Sequence, residues 1–193
     1  MRTRDGGRTW RRELAAPRDS QLTDIACPGP QACYVVGYLG FVATTANGGA
    51  SWHGQPIAVP GQTALLLAIA CPSAEVCYAV GDAGTMMKTV DSGRSWTARV
   101  LGRTVTLLGI ACPSLRDCYA VAVGQRGKLL MTINGGRSWR SIGKAPPVDR
   151  ADLLAIACPA TRICFAVGFA GAQASYAILV TKNGGRSWTS QIP

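Results

Sequence analysis

One eight-residue pattern, Thr-x-[Asp/Asn]-[Gly/Ser]-Gly-x-[Ser/Thr]-Trp, occurs five times in this chain and restricts it to repeat architectures. It spans Thr3 to Trp10, Thr45 to Trp52, Thr89 to Trp96, Thr132 to Trp139 and Thr181 to Trp188. Successive tryptophans are 42, 44, 43 and 49 residues apart, the length of one four-stranded propeller blade. A second element keeps constant phase with the first. Ile25-Ala26-Cys27-Pro28 leads to Cys33-Tyr34-Val35-Val36-Gly37, and the same elements recur over Ile69 to Gly81, Ile110 to Val121 and Ile156 to Gly168, always with five residues between the two cysteines.

Short β-rich runs separated by Gly, Pro, Asn and Ser give the strands of each copy. In the second copy, strands are expected over Leu65–Ala70, Cys77–Val80, Thr85–Thr89 and Ser95–Val100, and no segment sustains a helical period. The fold class is therefore all-β: a β-propeller of four-stranded antiparallel blades. Four complete blades are expected at residues 20–56, 63–101, 104–142 and 151–192, with a partial blade at 1–14, all within one propeller or propeller fragment spanning 1–193. Met1 precedes the first turn by two residues and no signal peptide is present, so the chain reads as an excerpt of a longer protein. Open blade edges would then favour self-association or membership of a larger ring.

The chemistry of the repeated turn is legible from its residues. Asp5, Asn47, Asp91, Asn134 and Asn183 can bond backbone amides two residues on, and the glycines accept positive φ. Trp10, Trp52, Trp96, Trp139 and Trp188 each add an apolar plate to pack across the turn and on the neighbouring strand. Ala26, Ala70, Ala111 and Ala157 lie beside an Ile on the first strand, where blades crowd around a central channel. Tyr34, Tyr78, Tyr119 and Phe165, each following a second cysteine, are expected to pack between blades.

Eight cysteines in four equally spaced pairs imply disulfides or metal. Zinc is disfavoured, because pairs on separate blades lie too far apart to share an ion and His53 is the sole histidine. The expected bridges are Cys27–Cys33, Cys71–Cys77, Cys112–Cys118 and Cys158–Cys164, across strands about 5.5 Å apart. They imply an oxidising extracellular or periplasmic compartment; the alternative is a cytosolic protein with reduced thiols. No cofactor is implied.

The net charge of +10 attracts anionic partners. Nucleic acid is disfavoured: Arg8, Arg94, Arg137 and Arg186 recur at one position of the turn, and no aromatic-interleaved basic ribbon accompanies them. No apolar run is long enough for a membrane helix.

The five turns resemble the Asp-box, or BNR, repeat of sialidase-like propellers. Together with the Tyr-Ala-Val-Gly strand and the Gly-x-[Leu/Met]-[Leu/Met]-x-Thr strand they look most like the photosystem II stability and assembly factor family. That resemblance implies a non-enzymatic assembly factor and a role for arginines in meeting a partner. A sialidase would need an arginine triad, a Tyr–Glu pair and a Phe/Tyr-Arg-Ile-Pro motif, and no such motif is found. Glu13 and Glu75 fall outside any pocket, and no motif pairs Asp24, Asp82, Asp149 or Asp152. The alternative function is a carbohydrate-active Asp-box enzyme or glycan-binding module whose catalytic residues lie in absent blades.

Repeated residues maintain a blade, whereas unlike residues at equivalent loops are free to recognise something. Tyr38, Asp82, Arg126, Phe169 and Tyr176 occupy such loops, on the face opposite the turns and the cysteine hairpins. They are the candidate binding set for a protein or peptide; the structural alternative is that they are solvated turn residues. Arg8, Arg94, Arg137 and Arg186 form a secondary candidate, a basic rim for an acidic partner, against the plainer reading of exposed arginines covering the adjacent tryptophans.

Overall fold

The computed structural model describes Thr3 and residues 5–11, 21–59, 61, 63–124, 128–142, 151–170 and 175–191. These form four antiparallel meanders of four strands. The first comprises β1 (Leu22–Ala26), β2 (Cys33–Gly37), β3 (Phe41–Thr45) and β4 (His53–Pro56). The second comprises β5 (Leu66–Ala70), β6 (Cys77–Gly81), β7 (Thr85–Thr89) and β8 (Thr97–Val100). The third contains β9 (Val105–Ala111), β10 (Cys118–Gly124), β11 (Lys128–Thr132) and β12 (Arg140–Ser141), and the fourth β13 (Ala151–Ala160), β14 (Ile163–Ala170), β15 (Ser175–Thr181) and β16 (Thr189–Ser190). The expected outer strand of the second copy begins two residues late, because Ser95 belongs to the preceding turn. Its amide donates to Asp91 Oδ1 at 2.9 Å, so it is unavailable to the ladder.

The innermost strands lie side by side, β1 against β5, β5 against β9 and β9 against β13, so the sheets follow one another as propeller blades. Asp24 and Thr23 tie the first pair: Ile69 N donates to Asp24 Oδ2 at 2.8 Å and Thr23 Oγ1 donates to the Leu66 carbonyl at 2.7 Å. At the end of the β6 strand, Gly81 passes so close to β5 that a Cβ would lie 1.8 Å from the Leu65 carbonyl oxygen. Only glycine fits that approach.

All four expected disulfides are formed, each joining cysteines six apart, with Cα atoms 4.1 Å apart. That separation is shorter than the expected 5.5 Å and near the value for a non-hydrogen-bonded cross-strand pair. The bridge therefore closes the open end of the ladder just beyond pairs such as Ala26 and Tyr34. Four bridges suit an oxidising compartment rather than a reducing cytosol.

The repeated turn is held by its own side chains. In the second blade Thr89 Oγ1 donates to Asp91 Oδ1 at 2.8 Å and accepts from Gly93 N at 2.9 Å, while Ser95 Oγ donates to Asp91 Oδ2. Asn47, Asn134 and Asn183 make the corresponding bonds through Oδ1 and Nδ2. Thr45, Thr89, Thr132 and Thr181 are buried, and these local bonds satisfy their hydroxyls. The turn also bonds to the cysteine hairpin of its own blade, through Gly48 to Gln31, Ser92 to Glu75, Gly135 to Arg116 and Gly184 to Arg162. The turn and the hairpin thus share one face, as the strand order requires.

Hydrogen bonds from Ser95 and Thr89 lower the Asp91 carboxyl to about 2, and those from Thr9 and Thr3 do the same for Asp5. Each folded value lies below the ordinary carboxylate value of 3.8. The stabilisation is therefore complete above that value and lost as pH falls from 3.8 towards 2. Asp91→Asn should keep the turn, since three other turns already use Asn, and should reduce the pH dependence of the melting temperature in that window. Parallel melting curves for the variant and the wild type between those pH values would sink this assignment.

Tight packing occurs between blades. Tyr34, Val36 and Val42 meet Ile69, Ala79 and Met87 across the first junction. Tyr78, Val80 and Met86 meet Ile110, Ala120 and Leu130 across the second, and Tyr119, Val121 and Leu129 meet Ala166, Leu153 and Leu179 across the third. The alanines of the first strand pair across the ladder with these aromatic residues, Ala70 with Tyr78 for example, and being small they leave room for the ring. The tryptophans also reach the preceding blade: Trp139 and Trp188 meet Tyr78 and Tyr119 edge-on, with ring centroids 6.3 and 6.5 Å apart.

Candidate functional site

The variable-loop residues fall into two separate places. Tyr38 follows β2 and pairs with Leu65 in an isolated bridge between the first and second blades. Asp82, in the short turn after β6, accepts from Leu65 N at 2.9 Å through Oδ1, while its own amide donates to the Leu65 carbonyl at 3.0 Å. Leu65 therefore brings Tyr38 and Asp82 into one neighbourhood, and the Asp82 carboxylate already serves the backbone there. Phe169 and Tyr176 lie two blades away and face each other across β14 and β15, their ring centroids 6.3 Å apart. Tyr176 is 75% exposed. Arg126 lies outside the described residues.

Of the acidic residues weighed for glycoside chemistry, Asp24 clamps two inner strands and Asp82 caps Leu65. Asp152 is an exposed residue of β13 opposite Phe169. Glu75 accepts from Ser73 Oγ at 2.9 Å within a cysteine hairpin. Asp149 and Glu13 lie outside the described residues. No group of His, Cys, Asp or Glu that could hold a metal occurs among the described residues, and no helix of those residues is long and apolar enough to cross a membrane.

The turn arginines Arg8, Arg94, Arg137 and Arg186 are all exposed. Around Arg137 the structure gathers three further cations that no repeat announces. Lys88 Nζ donates to the Gly135 carbonyl at 2.7 Å, Arg99 Nη1 donates to the Arg137 carbonyl at 3.1 Å, and Arg116 Nε donates to the Ile133 carbonyl at 3.4 Å. The turn of the third blade thus receives cations from the second blade on one side and from its own cysteine hairpin on the other. Lys88, Arg116, Asn134, Gly135 and Arg137 line a hollow of about 430 Å³. Among the described residues none of the four cations pairs with a carboxylate.

Lys88 reaches this position across the ring of Tyr78, 5.3 Å from its centroid. Burial lowers its ammonium pKa, and the nearby charges of Arg137 and Arg99 lower it further. An anion entering the hollow would relieve that repulsion. A signal for Lys88 does exist in the sequence: the equivalent ladder positions opposite Tyr34, Tyr119 and Phe165 hold Thr44, Met131 and Val180. Arg116 occupies the hairpin position held by Gln31, Glu75 and Arg162 in the other blades, so an arginine there is shared with the fourth blade. Departure from the repeat thus marks Lys88 but not Arg116, and their convergence requires the junction between blades.

The family model described as photosynthesis system II assembly factor YCF48 matches residues 1–145. Among solved structures, YCF48 bound to D1 peptide is similar, with a TM-score of 0.55 and 13% identity over 93% of this chain and 84% of that one. YCF48 from Cyanidioschyzon merolae gives a TM-score of 0.64 and 18% identity, covering 91% of this chain but 57% of that protein. An ancestral GH74 enzyme gives 0.66 and 15% identity over 87% of this chain and 23% of the enzyme. At such identities the structural likenesses establish the fold alone. No curated protein matches the sequence.

Proposed function

The chain belongs to the photosynthesis system II assembly factor YCF48 family, and from that membership we propose that it is a non-enzymatic scaffold that holds a segment of a partner protein. The observation that carries the reading is the hollow around Arg137, lined by Lys88 and Arg116 with Arg99 on the Arg137 carbonyl, where no carboxylate among the described residues pairs with these cations. Three exposed arginines around a partly buried lysine favour a peptide segment bearing carboxylates, since these can take charge-assisted hydrogen bonds from several donors at once. The similar structure of YCF48 bound to D1 peptide supports a peptide as the class of partner. Tyr38 and Asp82 form a second candidate contact on the opposite face, and the compartment is extracellular or periplasmic. The glycosidase alternative has only the shared fold of the ancestral GH74 enzyme in its favour.

The test uses a fluorescein-labelled peptide of about a dozen residues rich in Asp and Glu, measured by anisotropy. Binding should weaken as salt rises through the physiological range, because the contact is electrostatic and partly exposed. The double variant Arg116→Glu/Arg137→Glu should lose at least ~10-fold in affinity, whereas Arg94→Glu should change it little. Equal loss from Arg94→Glu, or no loss from the double variant, would remove the hollow from the function. A Tyr38→Ala variant with reduced affinity would transfer the contact to the opposite face.

A further inference from the structure

We propose that the cationic hollow continues into an apolar subsite that takes one aromatic side chain of the bound segment, so that the preferred partner carries an aromatic residue beside its carboxylates. The inference rests on the acidic-peptide reading and adds a side-chain specificity to it.

Equivalent positions at the three blade junctions carry the argument. At each junction the second glycine of one blade's turn lies against the aromatic ring of the preceding blade: Gly93 on Tyr34, Gly136 on Tyr78 and Gly185 on Tyr119. Two repeat positions of the preceding blade are available to fill the space beside that contact, the residue before the turn threonine and the residue three after the turn tryptophan. At the first junction Thr44 fills it, since a Cβ on Gly93 would lie 2.5 Å from Thr44 Cγ2. At the third, Met131 and Ile142 fill it, each with an atom 3.5 Å from a Cβ on Gly185.

At the second junction the same two positions hold Lys88 and Arg99, and neither packs over the glycine. The three atoms nearest to a Cβ on Gly136 all belong to Tyr78. Lys88 Nζ reaches instead to the Gly135 carbonyl and Arg99 Nη1 to the Arg137 carbonyl. A hollow of about 210 Å³ is left, walled by Tyr78, Met86, Val90 and Trp139 together with Lys88 and Arg99. The second and third blades are each packed on both sides by other blades of the chain, so the space belongs to a complete junction.

This volume lies below the ~300 Å³ at which sites for whole small molecules begin, and it suits one large side chain. Tyr78 and Met86 form buried walls, whereas Val90 is 60% exposed and leaves the space open to an entering group. The two cations favour an aromatic occupant over an aliphatic one. A ring face attracts an ammonium or guanidinium group, while an aliphatic chain only shields it from water. Met86 adds a thioether, which packs well on ring edges. Lys88, Gly135 and Arg137 line this hollow and the cationic one alike, so a carboxylate in one places a neighbouring side chain at the other. Residues two apart in an extended segment point to the same side, and that is the spacing expected of the pair.

The test compares three fluorescein-labelled acidic peptides that differ only in one central residue, Phe, Leu or Ala, two positions from a glutamate. The Phe peptide should bind at least ~5-fold more tightly than the Ala peptide, and more tightly than the Leu peptide. Arg99→Ile gives the second blade the residue that the third has at Ile142 and should fill the hollow. Both the Phe and Ala peptides should then bind more weakly, for loss of a charge, and their ratio should fall to about one. Arg99 is exposed, so folding should survive, as checked by far-UV circular dichroism. Arg116 lines only the cationic hollow, and Arg116→Glu should weaken all three peptides while preserving the ratio. Equal affinity for the Phe and Ala peptides, a Leu peptide that matches Phe, or a ratio that survives Arg99→Ile would overturn the subsite. Salt-sensitive binding of the Ala peptide would in each of those cases leave the acidic-peptide reading standing. Absence of binding by every acidic peptide would overturn both.

Discussion

Reduction of the four disulfides is expected to unfold the chain at neutral pH and room temperature. Each bridge joins cysteines six apart, and on the chain-entropy model closing so short a loop contributes about 2 kcal/mol. Four together approach about 8 kcal/mol, comparable to the entire stability of a typical domain. The bridges are also placed where little else could substitute for them. They close the hairpins against which the repeated turns dock, and Cys77, Cys118 and Cys164 are fully buried at the blade junctions. Replacing a single pair, Cys112→Ala/Cys118→Ala, should lower the melting temperature by about 5 °C for a chain of this size. Calorimetry with and without a phosphine reductant checks both statements. A reduced chain that melts within about 2 °C of the oxidised one would mean that the bridges do not support the fold.

The second large effect contrasts equivalent positions. Tyr119→Ala should cost about 3–5 kcal/mol, because it removes a ring buried at 1% exposure between Met131, Gly185 and Trp188. Phe165→Ala, at the same repeat position but 42% exposed, should cost no more than about 1 kcal/mol in the monomeric chain. Hydroxyl removal gives a finer scale. Tyr34 Oη donates to the Ala74 carbonyl, so Tyr34→Phe should cost about 1 kcal/mol. The buried Tyr78 hydroxyl finds no partner among the described residues, and burial raises its pKa; Tyr78→Phe should therefore be neutral or stabilising. Urea denaturation at low protein concentration reads all four. Equal losses from Tyr119→Ala and Phe165→Ala would show that the junctions are not the main seat of stability.

Much of the fold could be read from the chain because the repeat samples the same solution several times. Five turns with one pattern reveal the roles of Thr and Asp or Asn, and four cysteine pairs at one spacing reveal the hairpin. The candidate site was less legible. Tyr38 and Asp82 each follow the second strand of a blade, yet their neighbourhood depends on Leu65, which bridges to one and bonds to the other. Phe169 and Tyr176 share a cross-strand pair instead of joining that neighbourhood. Arg137 stood out for its periodicity, the very property that made it resemble the other turn arginines. Lys88, Arg99 and Arg116 distinguish it, and they come from three different segments.

The sequence by itself determined the blade: its strands, the bonds within its turns, its bridges and the side chain that each strand presents to either neighbour. These follow from interactions between residues a few positions apart, whose geometry local spacing dictates. Only the tertiary structure decided how cations from two blades meet over one turn and leave a hollow beside it. Both depend on contacts across junctions some forty residues apart in sequence, such as Lys88 with Gly135. A repeat pattern specifies such a junction in general without showing which copy departs from it.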